Sequence, residues 1–95
     1  MFYRLVLFNL GEGKLDTAKA IFADLKDKIS DQPGFRGVKC YGDEVSGKYG
    51  FSVLWESAEA SETAKSIIGP LLSKHLADNN ASDKPFTSEL FKVIE

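Results

Sequence analysis

The chain has 95 residues, of which 43% are hydrophobic and 27% charged, and its 12 basic and 14 acidic side chains give a net charge of −2. This composition is typical of a single small globular domain over residues 1–95, and it excludes a disordered chain or a second domain of ordinary size. The two signs of charge are interspersed without a basic stripe, so nucleic acid is not an expected partner.

The single cysteine and the sequence of the N-terminus indicate in which cellular compartment the protein is expected. Cys40 is the single cysteine, so no internal disulfide forms, and one Cys with one His makes no metal-ligand set. A lone thiol suits a reducing cytoplasm, and the thiol has no neighbour in sequence that would make it a nucleophile. The apolar N-terminus contains Arg4 and is far shorter than the roughly 18 residues of a membrane span. It predicts a strand rather than a signal, and no membrane partner.

Residues 2–10 predict the first strand, because they are rich in Phe, Leu and Val. Both faces of this strand are mainly apolar, although an antiparallel strand with one wet face should alternate between apolar and polar residues. We therefore expect something to cover both faces of the sheet.

The hydrophobic period changes after Gly11-Glu12-Gly13, which lacks the spacing of a phosphate loop and is interpreted as a turn. Apolar residues then recur every three or four positions, which predicts an amphipathic helix that ends at Gln32-Pro33-Gly34. The residues of this apolar stripe are Leu15, Ala18, Phe22, Leu25 and Ile29.

A hairpin is predicted next. Residues 35–41 indicate a strand, residues 42–47 a turn, and residues 48–57 a central strand in which large and small side chains alternate. The large set is Tyr49, Phe51, Val53 and Trp55.

The remaining third of the chain predicts a helix and a final strand. Ser57 is a typical helix N-cap, and Gly69-Pro70 predicts an interruption, so that residues 71–77 would form a short segment at a new angle. A polar loop over residues 78–85 leads to a last strand over residues 86–94.

The predicted order is βαββαβ, a ferredoxin-like α+β fold with a four-stranded antiparallel sheet whose first and third strands are central. Two helices cover only one face of such a sheet, and the other would remain an apolar patch too large for a monomer. A second copy of the chain is the simplest cover, which predicts a twofold homodimer through the sheet face.

Three short motifs resemble the antibiotic biosynthesis monooxygenase (ABM) domain family, in the dimeric α+β barrel superfamily. They are Pro33-Gly34-Phe35-Arg36-Gly37, the turn at Gly47, and Trp55-Glu56-Ser57 followed by Ala58-Glu59-Ala60. The resemblance implies a dimeric α+β barrel. It also implies activities that range from cofactor-independent oxidation of polyketide quinones to haem degradation.

The same resemblance implies site residues. Haem-degrading members use an Asn on the first strand, a Trp in the second helix and a later His that ligates iron. Asn9 matches the first of these, and His75 matches the last if about one residue is inserted. The helix Trp, which quinone oxygenases also have, is missing, and Ala64 lies near its place.

The candidate residues also have structural interpretations. His75 is the only imidazole; with Ile68 and Leu72 at helical spacing it either points into a helix–sheet cavity as base or ligand, or flanks a surface helix. Asn9 either anchors a substrate carbonyl or is satisfied by the Gly11 turn. Arg4 holds either an acidic ligand or a partner subunit's carboxylate.

A pocket for a flat aromatic molecule is expected between helices and sheet, although aromatic strand residues are more often core or interface. Its predicted lining is Tyr3, Leu5, Leu7, Tyr41, Trp55 and Leu72. The leading hypothesis is a monooxygenase that acts on or binds an aromatic or quinone-type molecule without cofactor or metal, with His75 as base and Asn9 as anchor. One alternative is a non-catalytic, dimeric ligand-binding or stress-related protein. The other is a haem-binding or haem-degrading monooxygenase.

Overall fold

The computed structural model describes residues 1–95. Its elements follow the predicted order: β1 (Phe2–Asn9), α1 (Leu15–Ser30), β2 (Phe35–Asp43), β3 (Lys48–Trp55), α2 (Ala58–Asp78) and β4 (Thr87–Lys92). The strands form one antiparallel sheet in the order β2-β3-β1-β4. This arrangement confirms the ferredoxin-like α+β fold, with β1 and β3 at the centre.

The core lies between the sheet and the two helices. All four large side chains of β3, from Tyr49 to Trp55, are only 2% exposed, as expected for alternate residues on a face that helices cover. The even-numbered residues of β1 share this face. From the helices, the core receives Ile21, Leu25 and Ile29 of α1 and Ile68, Leu72 and Leu76 of α2.

The predicted interruption of the second helix is wrong, because α2 runs unbroken from Ala58 to Asp78 with Pro70 inside it. A proline removes the bond to the carbonyl four residues earlier, here that of Ser66. Both Pro70 and Ser66 are exposed, so water can satisfy that carbonyl. The buried stripe of Ile68, Leu72 and Leu76 continues across the proline, and this packing holds the helix together.

The start of α2 is fixed by two sequence features. The Ser57 hydroxyl accepts a hydrogen bond from the backbone N–H of Ala60 at 3.0 Å, which confirms the predicted N-cap. Gly34 has φ +86°, and a Cβ built there would lie 2.7 Å from the Cβ of Ala60. The turn before β2 therefore needs glycine both for its backbone angle and for its close approach to α2.

The other face of the sheet, which we call the open face, is not covered by any element of the chain. Four of its large apolar side chains are 43–49% exposed, and they lie beside polar ones such as Lys39 and Glu89. The exposed apolar residues are Tyr3, Leu7, Tyr41 and Phe91. Neither helix combines the length and the apolar character that crossing a membrane requires.

Candidate functional site

The six residues of the predicted pocket lie on opposite faces of the sheet. Trp55 and Leu72 are buried between the helices and the sheet. The other four occupy the open face, because strand residues of one parity share a face and the odd-numbered residues of β1 point away from the helices. These four are Tyr3, Leu5, Leu7 and Tyr41. A single pocket lined by all six is therefore wrong.

The site that the structure does form is a helix–sheet cavity of about 30 Å³. Its walls are mainly apolar and include Val53, Trp55, Ile68 and Leu72, and Phe86 closes it from the segment before β4. This volume is close to that of one water molecule, whereas an apolar cavity that accepts benzene has roughly 150 Å³. An aromatic ring therefore enters only if part of the wall moves.

One charged side chain reaches this cavity from the sheet. Arg4 is 7% exposed and lies on the helix-facing side of β1. Its Nε donates to Ser61 Oγ at 3.0 Å, and its Nη1 donates to Ser88 Oγ at 3.3 Å. Its Nη2 donates to Glu62 Oε1 at 2.6 Å. The ion pair expected for Arg4 is thus made within the chain, to α2.

Glu62 neutralises Arg4 from the solvent side. Its side chain is 59% exposed, while that of Arg4 is 8% exposed. The hydrogen bond from Arg4, helped by its positive charge, lowers the pKa of Glu62 below the usual value for a glutamate. Glu62 is consequently held in the ionised state, as a counter-ion with little tendency to take up a proton.

His75 lies outside the cavity lining and bridges the two helices. Its Nε2 is 2.6 Å from Oδ2 of Asp24 on α1, and this hydrogen bond lowers the pKa of Asp24. Three residues along a helix rotate a side chain about 60° from the starting direction. His75 is therefore turned from the cavity, which Leu72 faces, toward α1.

In the structure, the side chain of Asn9 is satisfied by the turn at Gly11. Its Oδ1 accepts a hydrogen bond from the backbone N–H of Gly11 at 2.9 Å, which closes the turn after β1. Asn9 also borders an open groove of about 660 Å³, together with Leu7 and Tyr41 from the open face. The groove thus gathers three predicted site residues, but on the side of the sheet that does not contain Trp55 and Leu72.

Arg4 is the site residue that the sequence analysis valued too little. Its position was informative, since it has the same parity as Val6 and Phe8, which are buried. A charge on the buried side of an apolar strand requires a partner, and the partner was the part that sequence could not show. No three His, Cys, Asp or Glu side chains are grouped so that they could hold a metal ion.

No protein-family profile matches the chain, and no curated protein sequence matches it significantly. Solved structures do match it. A crystal structure of an antibiotic biosynthesis monooxygenase aligns over 100% of both chains with a TM-score of 0.77 and 14% identity. The chain has the fold of the antibiotic biosynthesis monooxygenases. The ABM resemblance drawn from the sequence is confirmed at the level of the fold.

Two further structures show what the ABM fold carries elsewhere. A single-substitution mutant of SnoaB from Streptomyces nogalater, a cofactor-independent oxygenase, aligns with a TM-score of 0.72 at 17% identity, covering 99% of this chain and 93% of the mutant. A variant of MhuD with two manganese protoporphyrin IX molecules per active site aligns with a TM-score of 0.72 at 18% identity, covering 100% of this chain and 96% of MhuD.

The residues present do not fit a haem group. The helix–sheet cavity of about 30 Å³ is far smaller than a porphyrin. His75, the iron ligand that the resemblance implies, is held through its Nε2 atom by Asp24 outside the cavity lining.

Proposed function

We propose that this chain is a monooxygenase that binds a small aromatic molecule of phenol or quinol type in the helix–sheet cavity and oxidises it with molecular oxygen. The observation that carries the proposal is the buried side chain of Arg4 at a cavity whose walls are mainly apolar and include Phe51, Trp55 and Phe86. The fold shared with a cofactor-independent oxygenase supports it.

Arg4 suits this chemistry because oxidation without a cofactor begins from an electron-rich anion of the substrate. A cation next to a bound phenol favours the phenolate, and it acts most strongly where water is excluded. One atom of molecular oxygen then enters the ring, and the other leaves as water with two hydrogens of the substrate. In a quinol these hydrogens are lost as the ring is oxidised to the hydroxyquinone, and in an anthrone both come from the CH2 carbon, which becomes C=O. The substrate is thereby the reductant, and the protein supplies the anion site and the apolar walls.

The ring enters by displacement of Phe86. This side chain is only half-buried and lies between the loop after α2 and the start of β4. Trp55 and Leu72, by contrast, are 2% and 1% exposed in the middle of the core. Segments with few buried contacts open at the lowest free-energy cost, so the wall formed by Phe86 moves first.

We also propose His75 as the base and Asn9 as the anchor of the substrate, although both are hydrogen-bonded within the chain. His75 is bound to Asp24 and Asn9 to Gly11, so each acts on substrate only after it gives up that partner. Their contributions to the rate are therefore expected to be smaller than that of Arg4.

Oxygen uptake with a panel of hydroquinones and anthrones tests the proposal. We expect uptake by the unmodified chain and at least a tenfold (about 1.4 kcal/mol) lower kcat/KM in Arg4→Met. His75→Ala and Asn9→Ala should show smaller losses. Uptake by none of these proteins with any substrate of the panel would refute the oxygenase.

Ligand binding without turnover is the second candidate, and one observation favours it. No carboxylate or imidazole lines the cavity, so no side chain there is ready to accept the proton of a phenol. Quenching of Trp55 fluorescence by the same compounds, without oxygen uptake, would identify a binding protein.

The assembly that we propose is a homodimer through the open face, in the cytoplasm. The exposed apolar side chains of that face support it, since burial of such a patch stabilises association. Sedimentation should give a dimer that Leu7→Asp or Phe91→Asp converts to monomers. A folded monomer of the unmodified chain at micromolar concentration would contradict the proposal.

A further inference from the structure

The guanidinium of Arg4 has binding capacity that the folded chain leaves unused. An arginine side chain carries five N–H donors in a planar fork. Three of them are engaged, by Ser61, Glu62 and Ser88. Two N–H donors of this side chain, which is more than nine-tenths buried and lines the cavity, are therefore not used by the protein.

The charge around the cavity is one-sided. Among the residues that line it, Arg4 and Lys65 are cationic and none is acidic. Glu62, the counter-ion of Arg4, is not part of the lining, and 59% of its side chain is exposed. Because most of its side chain is already in water, Glu62 can turn away from Arg4 when another anion takes its place.

A buried cation that loses its counter-ion needs another, because an unpaired buried charge is strongly unfavourable. A carboxylate on the ligand meets this need, since it can accept two parallel N–H bonds from the fork that Glu62 contacts through one oxygen. The hydroxyls of Ser61 and Ser88 accept from Arg4 and keep their own hydrogens to donate to the same carboxylate.

We infer that the cavity selects aromatic carboxylic acids, with Arg4 as the residue that determines specificity and Glu62 as the internal anion that the ligand displaces. The inference rests on the proposed function for the place of the ligand and adds its chemical class: a phenol or quinol that also carries a carboxylate, with both anionic groups beside Arg4. Glu62 competes with the ligand, so its removal strengthens the binding of acids and leaves the binding of neutral analogues unchanged.

Calorimetric titration with benzoate and with its neutral analogue benzamide tests this inference. The proteins are the unmodified chain and Phe86→Ala, in which truncation makes room for the ring. We expect benzoate to bind about tenfold or more tightly than benzamide, as for a charge-assisted hydrogen bond. Arg4→Met should remove this preference, and Glu62→Gln should increase the affinity for benzoate severalfold without affecting benzamide.

Three outcomes would overturn the inference: equal affinity for acid and amide, no binding of benzoate in either protein, or no gain for benzoate in Glu62→Gln. If Arg4→Met fails to fold, Glu62→Gln still decides, because it changes an exposed side chain on α2. The inference and the proposed function fail separately. Acid-selective binding without oxygen uptake refutes only the oxygenase, and oxidation of quinols without acid selectivity refutes only the selection of carboxylic acids.

Discussion

The two faces of the sheet are made by the same four strands, yet they differ in almost every physical property. The helix-covered face carries the large side chains of β3 at 2% exposure and, at 7% exposure, the guanidinium of Arg4. The open face carries Tyr3, Leu7, Tyr41 and Phe91 at 43–49% exposure. The first face holds the core and the cavity. The second is apolar enough to associate but contributes less to the stability of one subunit, since burial sets the hydrophobic contribution.

The largest loss of stability from a single substitution is expected on the helix-covered face. Leu72→Ala removes a side chain that is 1% exposed and lines the cavity, so we expect the free energy of unfolding to fall by about 2–5 kcal/mol. Urea denaturation measures this change. The same truncation enlarges the cavity toward the size of a ring, so the variant should also bind benzoate more readily.

Leu7→Ala is the matched control on the open face, where Leu7 is 44% exposed. Its cost should be smaller, about 1 kcal/mol, because roughly half of the side chain is already in water. If a second copy covers this face, the cost of Leu7→Ala will grow with protein concentration and that of Leu72→Ala will not. Equal costs for the two variants at every concentration would contradict the distinction between the faces.

The architecture could be predicted because its signals are local. The alternation of Tyr49 with Gly50 in β3 and the spacing of Leu25 and Ile29 in α1 each report burial within a few residues of sequence. The continuity of α2 was missed, because the breaking tendency of Pro70 is also local, whereas the packing that overrides it comes from the sheet.

The site could be predicted only in part, because it depends on pairs far apart in sequence. Asp24 and His75 are 51 residues apart, and Arg4 and Glu62 are 58 apart. In β1 both parities are apolar, so the pattern did not show which face the helices would take. The sequence pattern therefore favours Leu5 and Leu7 as pocket residues, although they lie on the open face. It does not single out Arg4, which lies on the face that borders the cavity.

Two glycines of β2, one on each face of the sheet, should respond differently to substitution by alanine. Gly42 pairs with Tyr49, and a Cβ there would overlap the Tyr49 ring and lie 2.9 Å from the carbonyl of Lys48. We expect Gly42→Ala to destabilise the chain by about 1–3 kcal/mol through overpacking. Gly37 pairs with Leu54 on the open face, and a Cβ there meets nothing within 4 Å. Gly37→Ala should be neutral or slightly stabilising in thermal unfolding. A larger loss of stability in Gly37→Ala than in Gly42→Ala would show that the Tyr49 ring does not cover Gly42.

The smallest effect concerns the hydrogen bond between Asp24 and His75, which joins the two helices away from both faces of the sheet. The pKa of Asp24 is lowered, chiefly by its hydrogen bond with His75, from an ordinary value of 3.8. A carboxylate whose pKa is lower in the folded than in the unfolded chain stabilises the fold above the unfolded pKa, and this contribution is lost as the pH falls through the folded value. Asp24→Asn should therefore reduce stability slightly at pH 6, and this difference should shrink as the pH falls through the lowered pKa of Asp24.

Asp83→Asn is the control for this prediction, because Asp83 is exposed in the loop before β4 and forms no ion pair. Its urea midpoint should match that of the unmodified chain across the same pH range. The gap between Asp24→Asn and the unmodified chain should close on acidification, because protonation removes the charge that the substitution removes. A gap that stays constant from pH 6 to the acid limit would mean that the contact between Asp24 and His75 acts through packing of α1 on α2, and that its charge is irrelevant to stability.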